Sequence, residues 1–365
     1  MKNRFKLSLA SAVAVALLAG CGGGSSTKDS GVSSLKDNAA NKELVTKITD
    51  TVIVAGYSEL DKKVKALADA LEVLENSQTA ENLVIAQDAW KAARVPWESG
   101  EGHIFGPIEA QGVDPASDSW PVVKSDLDGS LGGWNIGDST NAYANEVRGF
   151  HAIEYILFGD GVDTNTRGIA NLSNKQISYA HELAKSMSGQ MGTLNYAWTG
   201  GGYADLFKGI AKDEDGKLDS KNFSVASATE ELIGGLIGIA DEVGNGKMGD
   251  PYNEKDTTLV ESQFSWNSTT DFANNITSIK NVWEAGMKDL MMQVDADNAK
   301  KVSGQIDDAI KKIKKISDNT GNGEIDADVK AKAFRNQIKD EEGRKLVKAA
   351  IESLAILQAN LESMQ

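Results

Sequence analysis

Apolar positions recur at intervals of three and four along most of the chain, and alternation of period two is absent. Leu44, Ile48, Val52, Ala55, Tyr57, Leu60, Val64, Leu67 and Leu71 form one such stripe, which predicts a long amphipathic helix over about 42–76. Thr79 and Asn82 open a second helix that carries Leu83, Ala86, Trp90 and Ala93 towards Trp97. A third is expected over about 140–158, and a fourth runs from near Ser173 through Ile177, Leu183 and Met187 towards Trp198. Beyond a Gly/Asp-rich stretch at about 199–222 the pattern resumes near 224–243, 269–293, 296–317, 326–340 and 342–363. The expectation is an all-α chain of two helical bundles side by side, residues 41–200 and 201–365. The region from Gly102 to Thr140 breaks the pattern with Gly, Pro and Asp, yet carries Trp120 and Trp134, which predicts a long ordered loop over the first bundle.

The N-terminus reads as an address. Lys2, Arg4 and Lys6 precede an apolar run from Leu7 to Leu18, too short for a permanent membrane span, and Leu18-Ala19-Gly20-Cys21 reads as a lipobox. Residues 1–20 are then a lipoprotein signal peptide, Cys21 is the lipidation site, and residues 21–40 are a flexible tether. This places the protein in the cell envelope, held to a membrane through lipidated Cys21; Gly22 favours an outer membrane, facing the periplasm. Cys21 is the single cysteine, so neither an internal disulfide nor a thiolate metal site is available. Loss of the signal takes the formal net charge from −15 to −18 by removing three basic residues, a balance that disfavours nucleic acid and favours cations.

The most informative stretch is Gly149-Phe150-His151-Ala152-Ile153-Glu154-Tyr155, where an imidazole and a carboxylate share one face of an otherwise apolar helix. Buried polar groups need partners, so the pair is either a hydrogen-bonded cross-link between helices or part of a metal or catalytic site. Glu98 and Glu101 are also three apart, and with His151 and Glu154 they would make a hard O/N set suited to iron, manganese or zinc. A di-iron centre needs Glu-x-x-His on two helices, whereas here the order is reversed and occurs once. A helical zinc-protease motif needs a second histidine where Tyr155 stands. Ser262 and Ser265 lack a nucleophile turn, and His103 and His181 read as loop and surface residues. The acidic clusters Asp213–Asp219 and Asp318–Glu324 end their calcium register on Asn222 and Val329 in place of the bidentate Glu, and read as turns.

Four segments in order resemble the imelysin family. They are Ala89–Glu101 followed by Phe105-Gly106-Pro107, then Asp114-Pro115 with Asp118-Ser119-Trp120-Pro121, then Gly149-Phe150-His151-Ala152-Ile153-Glu154 in the GxHxxE pattern, and Glu261-Ser262-Gln263-Phe264-Ser265. The resemblance implies His151, Glu154, Glu98 and Glu101 as metal ligands, with Glu261, Ser262 and Ser265 lining the pocket and Arg148 placed to hold a carboxylate. It implies a metal-binding or uptake accessory protein, iron foremost and zinc second, working with iron-uptake components of the envelope. The alternatives are an envelope metallopeptidase and a structural or adhesion lipoprotein without a metal.

If Cys21 carries the anchor, Cys21→Ser releases the protein from the membrane fraction or leaves an unprocessed precursor; fractionation and the mobility of the processed chain are the measurements.

Overall fold

The computed structural model describes residues 31–140, 143–318 and 333–365. The signal segment, Cys21 and the first part of the tether lie outside the described residues, as do most of the second acidic cluster and residues 326–332 of the helix expected at 326–340, whose described remainder is helical only over Phe334–Gln337.

The architecture is all-α, and no strand occurs among the described residues beyond an isolated bridge between Lys212 and Leu218. The first stripe becomes α1 (Ala39–Ile48), a π-turn (Thr49–Val54) and α2 (Ala55–Asn76). There follow α3 (Ala80–Glu98), α4 (Gly149–Phe158) and α5 (Asn174–Trp198). The second half contributes α6 (Val225–Asp241), α7 (Ser268–Val282), α8 (Ala296–Asp318) and α9 (Glu341–Glu362). Helix starts follow local chemistry: Asn38, Thr79 and Asp340 accept from backbone N–H groups of the first turn, and Ser173 with Gln176 forms a reciprocal capping box.

Helices α2, α3, α4 and α5 pack on one another as one bundle, and α6, α7, α8 and α9 as a second. The division does not follow the chain order expected from the sequence. Helix α1 packs on α6 and on the π-turn Trp283–Met287, so the first long helix starts on the second bundle and ends in the first. Helices α3 and α7 also touch, and the buried apolar side chains of both halves form one continuous core.

The third helix starts later than its stripe suggested. Gly149 has φ +78, a left-handed turn that sets the first residue of α4 against the preceding loop. A Cβ there would lie 2.3 Å from the Ser117 carbonyl oxygen. Gly161, with φ +63, does the same after α4, where a Cβ would lie 2.3 Å from the Gln263 carbonyl oxygen. The loop over the first bundle is ordered as expected: it holds short helices at Pro107–Ala110, Val113–Ser117 and Lys124–Gly133, and Trp134 is buried edge-on to Tyr179 at 5.2 Å.

Gly149→Ala combines a disfavoured φ with a backbone clash. It should cost on the order of 3 kcal/mol of stability, read as a lowered urea midpoint.

Candidate metal centre

Where the two bundles meet, a group of buried charged side chains converges. From α3 come Arg94 and Glu98, one helical turn apart, and from the turn that follows comes Glu101. The loop supplies Asp118, and α4 supplies His151 and Glu154. The second half supplies Lys247 at the end of a π-turn (Glu242–Lys247), Glu261, Ser262 and Ser265 from a loop, and Asp271 and Asn275 from α7. Six carboxylates thus face Arg94, Lys247 and His151.

Arg94 is the hub. Its guanidinium contacts Glu98 and Asp118, lies 2.7 Å from Glu261 Oε1 and 3.3 Å from Asp271 Oδ2, and stacks near the Phe150 ring. Trp97 Nε1 donates to the other Asp118 oxygen at 2.7 Å. Lys247 Nζ forms a second hub, 2.9 Å from Glu101, 3.1 Å from Glu261 and 3.4 Å from Glu98, with the Trp120 ring 5.3 Å away. Asn275 Nδ2 donates to Glu98 and Glu101.

His151 is held from one side and open on the other. Its Nδ1 lies 3.0 Å from Glu154 Oε2. The other Glu154 oxygen accepts from the Phe264 N–H at 3.0 Å and from the Ser265 N–H and hydroxyl at 2.8 and 2.7 Å. Glu154 therefore fastens α4 to the Glu261–Ser265 loop and orients the ring. His151 Nε2 points at Asp118 Oδ1 (3.1 Å) and Glu261 Oε1 (3.6 Å) but aligns with neither as a hydrogen bond.

Electrostatics follow from burial and pairing. Burial opposes charge on Asp118, yet Arg94 and His151 hold its carboxyl well below the usual range. Burial likewise opposes the imidazolium, yet Asp118, Glu154 and Glu261 hold His151 well above its ordinary value. Glu261 is lowered despite burial, chiefly by Lys247. Burial pushes Asp271 up to about 6 against the pull of Arg94, and pushes Glu101 well above its usual range against the pull of Lys247.

Among the described residues, two groups of three have donor atoms within 4.8 Å of one another: Asp118, His151 and Glu261, and Glu98, Glu101 and Asp118. Metal–ligand bonds near 2.1 Å put neighbouring donors about 3.0–3.4 Å apart. Around His151 Nε2 the 3.1 Å edge to Asp118 falls in that range and the 3.6 Å edge to Glu261 lies just beyond it, with donors of the kind O/N-preferring ions take. Of the four expected ligands, His151, Glu98 and Glu101 belong to these groups, whereas Glu154 sits on the far side of the imidazole. Glu98 and Glu101 are buried, not exposed at a helix end, because Lys247 and Asn275 cover them. Ser262 donates to Asp271 at 2.5 Å, and the Arg148 guanidinium donates to Asn145 Oδ1 at 2.7 Å.

Sequence reading passed over Arg94, Asp118, Asp271, Asn275 and Lys247 as site residues. For Arg94 a signal existed: it falls on the same face of α3 as Trp90 and Trp97, so a charge had to be buried there. Lys247, in a Gly-rich turn, carries no such mark.

The imelysin model, Peptidase_M75, matches residues 53–361. Iron-regulated protein A of Synechococcus elongatus is 29% identical over 242 residues, which are 66% of this chain and 63% of that protein. The match thus spans less than two thirds of that relative's length. A solved structure of an iron-regulated protein A precursor from Parabacteroides distasonis matches with TM-score 0.69 at 24% identity, over 89% of this chain and 94% of that one. An imelysin-like protein from Psychrobacter arcticum matches with TM-score 0.66 at 12% identity, over 90% and 95%. At these identities the structural likeness establishes the fold.

His103 stands apart from the cluster. It is buried, neither ring nitrogen has a hydrogen-bond partner, and desolvation lowers its pKa to about 4. Because the folded value is depressed, the unfolded chain takes up this proton first as pH falls. Stability due to the neutral ring is complete above about 6.5 and declines between there and about 4, by about 3 kcal/mol at most. His103→Phe should flatten that part of the acid limb, measured as the change in urea midpoint between pH 7 and pH 4.5.

Proposed function

The chain belongs to the imelysin family, and we propose that it serves the cell envelope as a metal-binding accessory of iron uptake, holding one ion at Asp118, His151 and Glu261. What carries this reading is the His151 ring, fixed through Nδ1 by Glu154 while Nε2 faces two carboxylates without an aligned hydrogen bond. A ligating histidine whose other nitrogen is held by a carboxylate is the usual arrangement around bound metals. Without metal, the proton that His151 retains occupies the ion's place in the charge balance. Iron is favoured by the name of the Synechococcus relative and by a donor set of carboxylate and imidazole without thiolate.

No described helix is long and apolar enough to cross a membrane, so attachment rests on the Cys21 anchor read from the sequence. The peptidase reading has less support. Asp118, His151 and Glu261 are all buried, and a groove of about 650 Å³ nearby is lined by Thr51, Glu59, Lys63, Ser99, Asn281 and Glu284 among others, none of them in the cluster. A purely structural role is the second reading, favoured by Arg94 and Lys247, which already compensate part of the acidic charge.

Elemental analysis of protein purified without chelators decides between the two. The metal reading expects bound ion that His151→Ala and Glu261→Gln abolish, and a 10- to 100-fold weaker affinity, roughly, in Glu154→Gln. The structural reading expects no ion and a loss of about 3–5 kcal/mol when one partner is removed.

A further inference from the structure

Lys247 is out of place in a centre that attracts cations. Its side chain is fully buried, and its ammonium lies 2.9 Å from Glu101, 3.1 Å from Glu261 and 3.4 Å from Glu98, carboxylates from two separate stretches of chain. Glu98, Glu101 and Asp118 by themselves bring three carboxylate oxygens within 4.8 Å of one another. Beside them Asn275 Nδ2 donates to Glu98 and Glu101, so that an amide as well as the Lys247 ammonium turns donor hydrogens towards these carboxylates. This group shares Asp118 with the group around His151. Ions in both would share the Asp118 carboxylate, the kind of shared ligand that makes a two-metal site.

We propose that Lys247 is a tethered counter-ion that keeps a second cation out of the Glu98–Glu101–Asp118 group, so that the centre holds one metal ion and not an adjacent pair. The inference rests on the metal-binding reading for its resident ion. A π-turn places this residue: Glu242–Lys247 follows α6 directly and ends with the side chain directed between the bundles. Despite burial, Glu101 and Glu261 hold the ammonium charged, well above its ordinary range. As a monovalent group on a fixed tether it neutralises part of the carboxylate charge and fills the volume that a hydrated ion would need. Met at this position keeps a similar unbranched length and removes the charge.

The test counts ions. Purified full chain and Lys247→Met are each saturated with Mn(II), freed of excess, and analysed for manganese per chain and for spin coupling by EPR. Wild type is expected to hold one uncoupled ion, Lys247→Met two coupled ions, and Lys247→Arg one. Equal counts in wild type and a folded Lys247→Met overturn the proposal, as does a coupled pair in wild type. A wild type without ion sinks the metal reading instead, and Lys247 is then judged by whether Lys247→Met gains one ion over it. Should Lys247→Met not fold even with Mn(II) present, Glu101→Gln in the otherwise native chain decides. The proposal expects its ion count to equal that of wild type, because Glu101 serves Lys247 and not the resident ion, and a lower count overturns it.

Discussion

The buried guanidinium of Arg94 is the interaction on which the rest of this structure depends. It joins Glu98 on its own helix, Asp118 from the loop, and Glu261 and Asp271 from the second half. Desolvating this many charges is costly unless each is paired, so the two bundles meet in a single register, the one that brings all partners within reach. The aromatic walls of Trp90, Trp97 and Phe150 exclude water and strengthen every contact inside.

The charge balance at this junction also defines what it can do. Acidic groups outnumber basic ones, and Glu101 and Asp271 respond by holding their protons more tightly than free carboxyls do. His151 does the same from the other sign, retaining a proton that its neighbours stabilise. A cation entering such a centre displaces protons and is not simply added to a vacant hole. The same excess makes Lys247 consequential, since its ammonium offsets part of the negative charge of Glu98, Glu101 and Glu261.

Backbone geometry delivers the clustered side chains with little freedom. Gly149 lets α4 begin against the Ser117 carbonyl, next to Asp118, and Gly161 lets the chain leaving α4 pass against Gln263, next to the loop that carries Glu261. Glu154 then stitches that loop to α4 through both the Phe264 and Ser265 amides. The GxHxxE pattern therefore has a physical reading: the glycine for close approach, the histidine for the cluster, and the glutamate for the far side of the ring.

The sequence by itself determined the helices, because a period of three to four and a capping side chain are properties of neighbouring residues. Through motifs that resemble those of a known family, it also pointed to His151, Glu154, Glu98 and Glu261 as residues of one pocket. Only the tertiary structure decided what the shared faces meet. Helix α1 belongs to the second bundle because its partners lie more than 170 residues away, and no local pattern encodes that contact. Glu154 turned out to face backbone amides because loop residues 264 and 265 fill the space beside it. Lys247 entered the centre through a π-turn whose Gly-rich sequence resembles an exposed connection. Spacing along one helix fixes which side chains point the same way; what waits on that side is set by packing between segments remote in sequence.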